Sequence, residues 1–292
     1  MADHKEIDSV TGVETTGHVW DGDLKELNKP LPRWWLYVLY ACIVWAIGYW
    51  ILYPTWPGFS GSGYTPGYLN YSQRNEVSKD VAAAKASQAS SMQAIANTPA
   101  EAIEKNSDLI EFVLRGGAAQ FAGNCAPCHG KGAQGAKGYP NLNDDDWLWG
   151  GSTEAIEKTI KYGIRSGSKD GHESAMPRFG IDQILTPAQI GDAAEFVLSL
   201  SKRETDPAAA ERGKALFAEQ CVACHGADAK GLQEFGAPNL TDTIWLYGGG
   251  KTDIAETIRT GRGGVMPSWD GKLDPETIKM LAIYVHTLGG GK

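Results

Sequence analysis

The sequence has little positive charge and few cysteines, and each shortage narrows what the chain can do. Lys and Arg number 27 against 35 Asp and Glu, which gives a net charge of −8. No nucleic acid is expected as a partner, because phosphate binding needs a basic face. Four of the five cysteines form two close pairs and the fifth, Cys42, lies in an apolar run, so the set fits no ordinary disulfide framework.

The spacing of the cysteine pairs also excludes two common kinds of site. The pair Cys125/Cys128 lies much further from the pair Cys221/Cys224 than the roughly 15–20 residues of a zinc ribbon. A thioredoxin-like thiol pair would belong to a βαβ pattern, and no run around these cysteines shows clear strand alternation. Each pair is instead followed directly by a histidine.

Cys-x-x-Cys-His is the signature of covalent haem attachment, and it occurs twice. Residues i, i+3 and i+4 share one face of a helix, so two thiols can bond one porphyrin while the histidine reaches its iron. The sequence therefore predicts two covalently bound haem c groups. The predicted attachment residues are Cys125, Cys128, Cys221 and Cys224, and the predicted first axial ligands are His129 and His225.

Haem iron needs a second axial ligand or an open position. Of the five methionines, Met176 and Met266 follow Gly-rich loops after a haem motif, each directly before a proline and at equivalent places in a sequence repeat. We predict that both ligate iron. His172 lies in a loop that is longer in the first copy and is the rival ligand for the first haem; we predict a surface or supporting histidine there.

Several other residues are candidates for supporting the haem sites. The ring of each haem histidine must be fixed by a bond to its other nitrogen, and the carbonyl groups of Pro140 and Pro238 are the candidate acceptors. Arg165 and Arg262 are candidate partners for haem propionates. The acidic run 144–146 is predicted to be a solvated turn, with docking of a basic cytochrome as the alternative.

A single long hydrophobic run predicts a transmembrane helix at residues 34–53, which contain no charged residue. A helix of that length spans about 30 Å, one hydrocarbon core. A cleaved signal peptide is disfavoured by the long polar lead. Lys25, Lys29 and Arg33 precede the run, whereas no Lys or Arg occurs from Pro54 to Gln73. The positive-inside rule therefore predicts a cytoplasmic N-terminus.

The remaining chain divides into a tail, a spacer and two copies of one domain. Residues 1–33 are predicted to be a mostly extended tail, and residues 54–115 a loop and helical spacer. The chain then repeats itself, which predicts an all-α pair of tandem domains at 116–203 and 204–292. Helices are expected at about 153–162, 187–200, 252–260 and 275–288.

The chain resembles a known family over essentially its whole length, and three segments carry the most specific part of the resemblance. They are TGHVWDGDLKELNKPLPRWW before the span, YPNLNDDDWLWGG in the first copy and APNLTDTIWLYGG in the second. The resemblance is to the dihaem cytochrome c subunit, CcoP or FixP, of cbb3-type cytochrome c oxidases. Some relatives have two membrane spans, and this chain resembles the single-anchor form.

The resemblance implies a subunit of an oxidoreductase that passes electrons and has no catalytic centre of its own. The implied partners are a haem–copper catalytic subunit, a monohaem cytochrome c subunit and a donor cytochrome c. The implied location is a bacterial inner membrane, with the haem domains in the periplasm. The family's axial ligands carry onto His129 with Met176 and onto His225 with Met266, and its cysteine attachments carry onto the four paired cysteines.

Two other functions are compatible with the haem motifs. A free-standing membrane-tethered dihaem carrier would use the same sites without stable assembly, although the distinctive tail speaks for assembly. A dihaem peroxidase would need one iron with an open position. The symmetric Met-Pro loops argue against a peroxidase.

Overall fold

A computed structural model describes residues 6–57, 63–203 and 205–289. The ends of the predicted tail and of the predicted second domain, and part of the predicted loop, lie outside these residues. The chain divides into two compact units, residues 1–86 and residues 87–292.

The first unit opens with a β-hairpin that the predicted extended tail did not include. Strand β1 (Thr15–Trp20) pairs antiparallel with β2 (Leu24–Leu27), with Trp20 opposite Leu24. Asp21 and Gly22 at the turn have φ values of 51° and 89°. Positive φ at consecutive turn residues matches the twist of a tight hairpin. The tail is therefore folded at this point.

Helix α1 (Arg33–Leu52) follows the hairpin and confirms the predicted apolar helix. It is long and apolar enough to cross a membrane, and none of its residues, all of which are described, is buried. The last carbonyl groups of a helix lack intrahelical partners. Here the carbonyl oxygens of Ile51 and Leu52 accept bonds from the backbone N–H groups of Tyr68 and Leu69, at 2.9 and 3.0 Å.

The second unit is helical, as predicted. Helix α2 (Gln73–Asn97) runs across the boundary between the units, and a short 3₁₀ helix covers Gln233–Phe235. The predicted helices of both repeats are confirmed to within two residues. The helices after α2 are α3 (Ala100–Glu104), α4 (Ser107–Asn124), α5 (Ala126–His129), α6 (Thr153–Tyr162), α7 (Pro187–Leu200), α8 (Pro207–Gln220), α9 (Val222–His225), α10 (Lys251–Thr260) and α11 (Pro275–His286).

Local sequence explains where α7 and α8 begin. Thr186 and Gln189 form a capping box around Pro187, the first residue of α7. Asp206 accepts bonds from two backbone N–H groups at the start of α8, and Pro207 follows it. Proline at the first helical position costs nothing, because its missing N–H has no partner there in any case. The cap at Asp206 separates the last helix of the first repeat from the first helix of the second.

The hydrophobic cores of the second unit do not follow the sequence repeats. The first core joins α4 and α6 of the first repeat to α11 of the second, and the second core joins α8 and α10 to α7. Each repeat therefore completes its core with the final helix of the other. The buried members of the first core include Phe121, Ile156, Ile160, Ile278, Leu281 and Val285, and those of the second include Phe179, Ile190, Val197, Phe217, Ile254 and Ile258.

The exchange happens where the loops after α6 and α10 meet. Ile164 pairs antiparallel with Met266, and Met176 pairs antiparallel with Arg262. Both pairs are held by backbone hydrogen bonds. In the first pair, the N–H group of each residue donates to the carbonyl oxygen of the other at 3.0 Å. The last helices carry the same apolar spacing, so the apolar pattern alone does not assign either one to a core. The loop contacts tie each repeat to the segment that precedes the last helix of the other.

The exchanged helix α11 also holds the end of the spacer. Ile95 and Ile103 are fully buried in a third cluster with Met280 and Ile283 of α11. The Lys279 ammonium donates to the carbonyl oxygen of Ile95 at 3.0 Å, in the last turn of α2. A cation at a helix C-terminus interacts favourably with the free carbonyl groups there. The spacer therefore ends in packed structure.

The exchange predicts that α11 stabilises the core that holds the first haem motif. Leu281 is fully buried there, so Leu281→Ala should lower the free energy of unfolding of the full chain by about 2–5 kcal/mol. Denaturant unfolding of the detergent-solubilised chain measures this. Leu232→Ala is the control, because Leu232 is 40% exposed. A loss no larger than that of the control would contradict the packing described.

Candidate haem sites

Each haem motif forms one turn of helix that brings its three reactive side chains to one face. Helix α4 is followed directly by Cys125, whose carbonyl oxygen accepts bonds from the N–H groups of Cys128 and His129 at 3.1 and 2.9 Å. Cys221, Cys224 and His225 repeat this geometry, with the same two distances. Both turns have the i, i+3, i+4 arrangement that attachment to one porphyrin requires.

The first thiol of each motif is held neutral. Burial raises the pKa of Cys125 and the pKa of Cys221 to about 11, with the second cysteine of each motif adding a smaller effect. Thiol exchange and zinc binding use the thiolate, which such an environment disfavours. None of the five cysteines, all within the described residues, forms a disulfide.

Both haem histidines have one ring nitrogen fixed by the backbone. His129 Nδ1 lies 3.0 Å from the carbonyl oxygen of Pro140, and His225 Nδ1 lies 3.1 Å from that of Pro238. The predicted acceptors are thus confirmed. Burial lowers the pKa of both histidines, which favours the neutral imidazole. With Nδ1–H donating to the carbonyl group, Nε2 presents its lone pair, as an axial ligand must.

A cavity of about 700 Å³ opens beside the second motif. Its volume lies within the range of roughly 300–1,000 Å³ that is usual for cofactor sites. Cys221, Cys224 and His225 line it, and so does Met176. Apolar side chains from α7, α8 and α10 supply its walls: Val197, Phe217, Ile254 and Ile258. An apolar cavity beside the attachment residues fits a porphyrin.

The two methionines lie at the opposite motifs from those expected. Met176, of the first repeat, packs in the second core with Cys221. Met266, of the second repeat, packs in the first core with Cys125. This packing brings neither methionine to the motif whose histidine it was expected to pair with, His129 for Met176 and His225 for Met266. Its physical cause is the exchange of the last helices, which carries each Met-Pro loop across.

Two buried indole groups provide a further test of fit. The Nε1 atoms of Trp147 and Trp245 are buried and have no hydrogen-bond partner within the described part of the chain. A buried N–H without a partner costs about 1–3 kcal/mol. The two residues occupy equivalent positions in the repeats. Trp147 packs against the core that contacts Cys125, and Trp245 packs against the core that contacts Cys221. An anionic acceptor such as a haem propionate would satisfy both, so these residues fit the group.

Sequence reasoning did not single out these tryptophans as site residues, although their matched positions were visible. It did single out Arg165 and Arg262, and both line the cavity. Arg165 Nε donates to the Gly264 carbonyl oxygen at 2.7 Å. The Arg262 guanidinium lies 4.2 Å from the Tyr247 ring centre. Protein partners thus already hold both side chains.

His172 does not lie free to ligate iron. Its Nε2 is 3.0 Å from the Thr159 hydroxyl, and its ring stacks on Trp149 with ring centres 4.1 Å apart. Trp149 in turn lines the cavity. Burial, with Lys158 and Arg165, lowers the pKa of His172. The histidine therefore supports the cavity wall through Trp149, in agreement with the supporting position predicted for it.

The acidic run 144–146 is only partly solvated. Asp145 is exposed, whereas Asp144 and Asp146 are partly buried and line the cavity. Burial raises the pKa of Asp146 to about 6, and the nearby carboxylates of Asp242 and Asp144 add to the effect. Asp242 occupies the position in the second repeat that corresponds to Asp144. The repeats thus bring like charges together.

Three family models match separate segments of the chain. Residues 12–60 match the family model described as the N-terminal domain of cytochrome oxidase-cbb3, FixP. Residues 114–201 match cytochrome c, and residues 208–285 match cytochrome C oxidase, cbb3-type, subunit III. The cytochrome c matches imply covalently bound haem c.

Full-length relatives give the same result. The CcoP subunit of the cbb3-type cytochrome c oxidase of Azospirillum brasilense is 54% identical, over 99% of both chains. The FixP subunit from Bradyrhizobium sp. strain ORS 278 is also 54% identical, over 100% of both chains. The FixP subunit from Rhizobium meliloti strain 1021 is 50% identical over 100% of both chains.

The raised pKa of Asp146 predicts how stability depends on pH. An acid whose pKa is raised by folding lowers the free energy of unfolding as pH rises from its unfolded pKa to its folded one. Asp146→Asn should therefore stabilise the chain by about 1–3 kcal/mol near pH 8, and by less near pH 4. Denaturant unfolding at both pH values measures this, with the exposed Asp145→Asn as control. An equal gain at both pH values would contradict the assignment.

Proposed function

The chain belongs to the CcoP/FixP family of cbb3-type cytochrome c oxidase subunits, and on this premise we propose how its residues carry electrons within that oxidoreductase. The observation that carries the proposal is the doubled site: two Cys-x-x-Cys-His turns, each with its histidine fixed by a proline carbonyl group. Haem c, when bound, supplies a one-electron couple. The chain supplies attachment, ligands and an apolar environment.

We propose that the chain binds two haem c groups. Cys125 and Cys128 attach the first, and Cys221 and Cys224 attach the second. His129 and His225 are the proximal ligands, held neutral by burial and oriented by Pro140 and Pro238. Trp147 and Trp245 donate their free indole N–H groups to the haem carboxylates.

The distal ligands are exchanged between the repeats. Met266 completes the first site with His129, and Met176 completes the second with His225. This pairing is supported by the position of Met176 in the cavity of the second motif and of Met266 in the core of the first. His/Met ligation raises the reduction potential relative to ligation by two histidines. With protein ligands on both faces of both irons, the chain transfers electrons and makes no substrate bonds.

The proposed partners are a haem–copper catalytic subunit, a monohaem cytochrome c subunit and a donor cytochrome c. Assembly is supported by the family match that covers the hairpin and α1, since a simple tether would need no particular sequence there. The net charge of −8 is compatible with a basic donor.

We propose that α1 crosses the bacterial inner membrane once, with the N-terminus in the cytoplasm and the haem sites in the periplasm. The apolar length of Arg33–Leu52 supports a span. The basic residues Lys25, Lys29 and Arg33 on its N-terminal side support the direction. Haem sites outside the cytoplasm would meet a donor cytochrome c on that side.

The test of assembly is the haem content of the tagged chain after mild solubilisation from its native membrane. A pyridine haemochrome assay should find haem b together with more than two haem c per tagged chain. Haem c alone, at two per chain, would contradict the oxidase subunit and favour a tethered carrier. Peroxide turnover by the isolated chain would favour a dihaem peroxidase instead.

The exchanged pairing predicts which methionine serves which haem. In a chain with Cys221 and Cys224 replaced by Ala, only the first haem is attached. Met266→His in that background should lower its potential by a large step, because imidazole replaces the thioether. Met176→His should leave the potential unchanged, and redox titration reads both. The opposite result would restore the unexchanged pairing.

A further inference from the structure

We propose that Gly163 and Gly261 are positioning residues for the distal ligands. Each glycine contacts the Met-Pro loop of the other repeat and fixes the position of that loop. The position of the loop determines whether the methionine sulfur reaches iron. The inference rests on the proposed ligation by Met176 and Met266. It adds two residues that touch neither haem motif.

Both glycines end a helix in a conformation that favours glycine. Gly163 follows α6 with φ 75°, and Gly261 follows α10 with φ 68°. The N–H group of each bonds the carbonyl oxygen four residues earlier, on Thr159 and Thr257, at 2.9 Å. A residue with positive φ at this place ends a helix and turns the chain. The chain is turned here toward the Met-Pro loop.

Steric crowding restricts substitution at the two glycines more than backbone conformation does. A β-carbon on Gly163 would lie 2.5 Å from the Met266 carbonyl oxygen and 2.8 Å from the Ser268 nitrogen. A β-carbon on Gly261 would collide with the Met176 carbonyl oxygen and lie 2.9 Å from that of Pro177. These neighbours are backbone atoms, so no side-chain rotation relieves the contact. The ligand loop itself must move.

The loops are also bonded to the residues next to the glycines. Ile164 and Met266 exchange backbone hydrogen bonds of 3.0 Å. The Met176 N–H donates to the Arg262 carbonyl oxygen at 2.8 Å, and the Arg262 N–H returns a bond of 3.3 Å. A loop pushed away by a methyl group would lose these bonds or pull its neighbour with it. Either change displaces the methionine.

The geometry makes the effects specific. Gly163 touches the Met266 loop, which lies at the first motif, and Gly261 touches the Met176 loop, which lies at the second. Gly163→Ala should therefore release the ligand of the first haem alone. Gly261→Ala should release the ligand of the second haem alone.

The readout is the red charge-transfer band of ferric haem ligated by methionine, measured on the full chain with its haem c content checked. Each alanine variant should lose about half of the wild-type band and keep both haems, because the thioether bonds are untouched. Gly167→Ala and Gly271→Ala are matched controls. Their φ values are 81° and 71°, and a β-carbon at either meets nothing within 4 Å. Both controls should keep the full band.

Double variants identify the ligand that each glycine serves. Gly261→Ala combined with Met176→His should lose no more of the band than Met176→His alone, because both changes remove one bond. Gly261→Ala combined with Met266→His should abolish the band. Gly163→Ala should show the reverse pattern with the two methionines.

A full band in Gly163→Ala and Gly261→Ala, while Met176→His and Met266→His each halve it, would overturn the role of the glycines and leave the ligands standing. No loss in the methionine variants would instead overturn the ligation. Halved bands in the controls would assign the effect to backbone conformation. Failure of both glycine variants to accumulate, with normal controls, would make the glycines folding residues and contradict the proposal.

Discussion

Four backbone hydrogen bonds, between Ile164 and Met266 and between Met176 and Arg262, determine how the second unit is connected. They join the loop after α6, in the first repeat, to the segment before α11. They also join the loop after α10, in the second repeat, to the segment before α7. Everything downstream of each loop follows: the last helix fills the other repeat's core, and the methionine reaches the other repeat's motif.

The crossing joins the two proposed haem sites in one structural unit. Each proposed site takes its attachment cysteines and histidine from one repeat and its proposed distal methionine from the other. The loop from Arg262 to Met266 is bonded to the first repeat at both of its ends: Arg262 bonds Met176, and Met266 bonds Ile164. A chain that ended after the first repeat would lack both α11 and Met266, so its haem would have neither a complete core nor the proposed distal ligand. The spacer is tied to the same unit, because Lys279 of α11 holds the end of α2. An electron carrier gains from such a frame, since the distance between its haems is then set by packing.

Sequence reasoning reached whatever depends on local pattern. Helical spacing and the match between the repeats predicted α6, α7, α10 and α11 to within two residues, and the need to fix each haem histidine predicted the proline acceptors of His129 and His225. The hairpin at Thr15–Trp20 was missed, because a short two-stranded pairing has little apolar alternation to reveal it. The exchange was missed for a different reason. The two last helices carry equivalent apolar faces, so pattern alone cannot distinguish packing within a repeat from packing between repeats. Trp147 and Trp245 were visible as a matched pair, but only their burial without a partner exposes a role.

A density map of the haem-loaded chain, resolved to side chains, is the sharpest test of the proposed exchange of the distal methionines. The two haems are told apart by their thioether bonds, one to Cys125 and Cys128 and the other to Cys221 and Cys224. We expect continuous density from the Met266 sulfur to the iron of the first haem, and from the Met176 sulfur to the iron of the second. Density from Met176 to the iron of the first haem would contradict the proposed exchange.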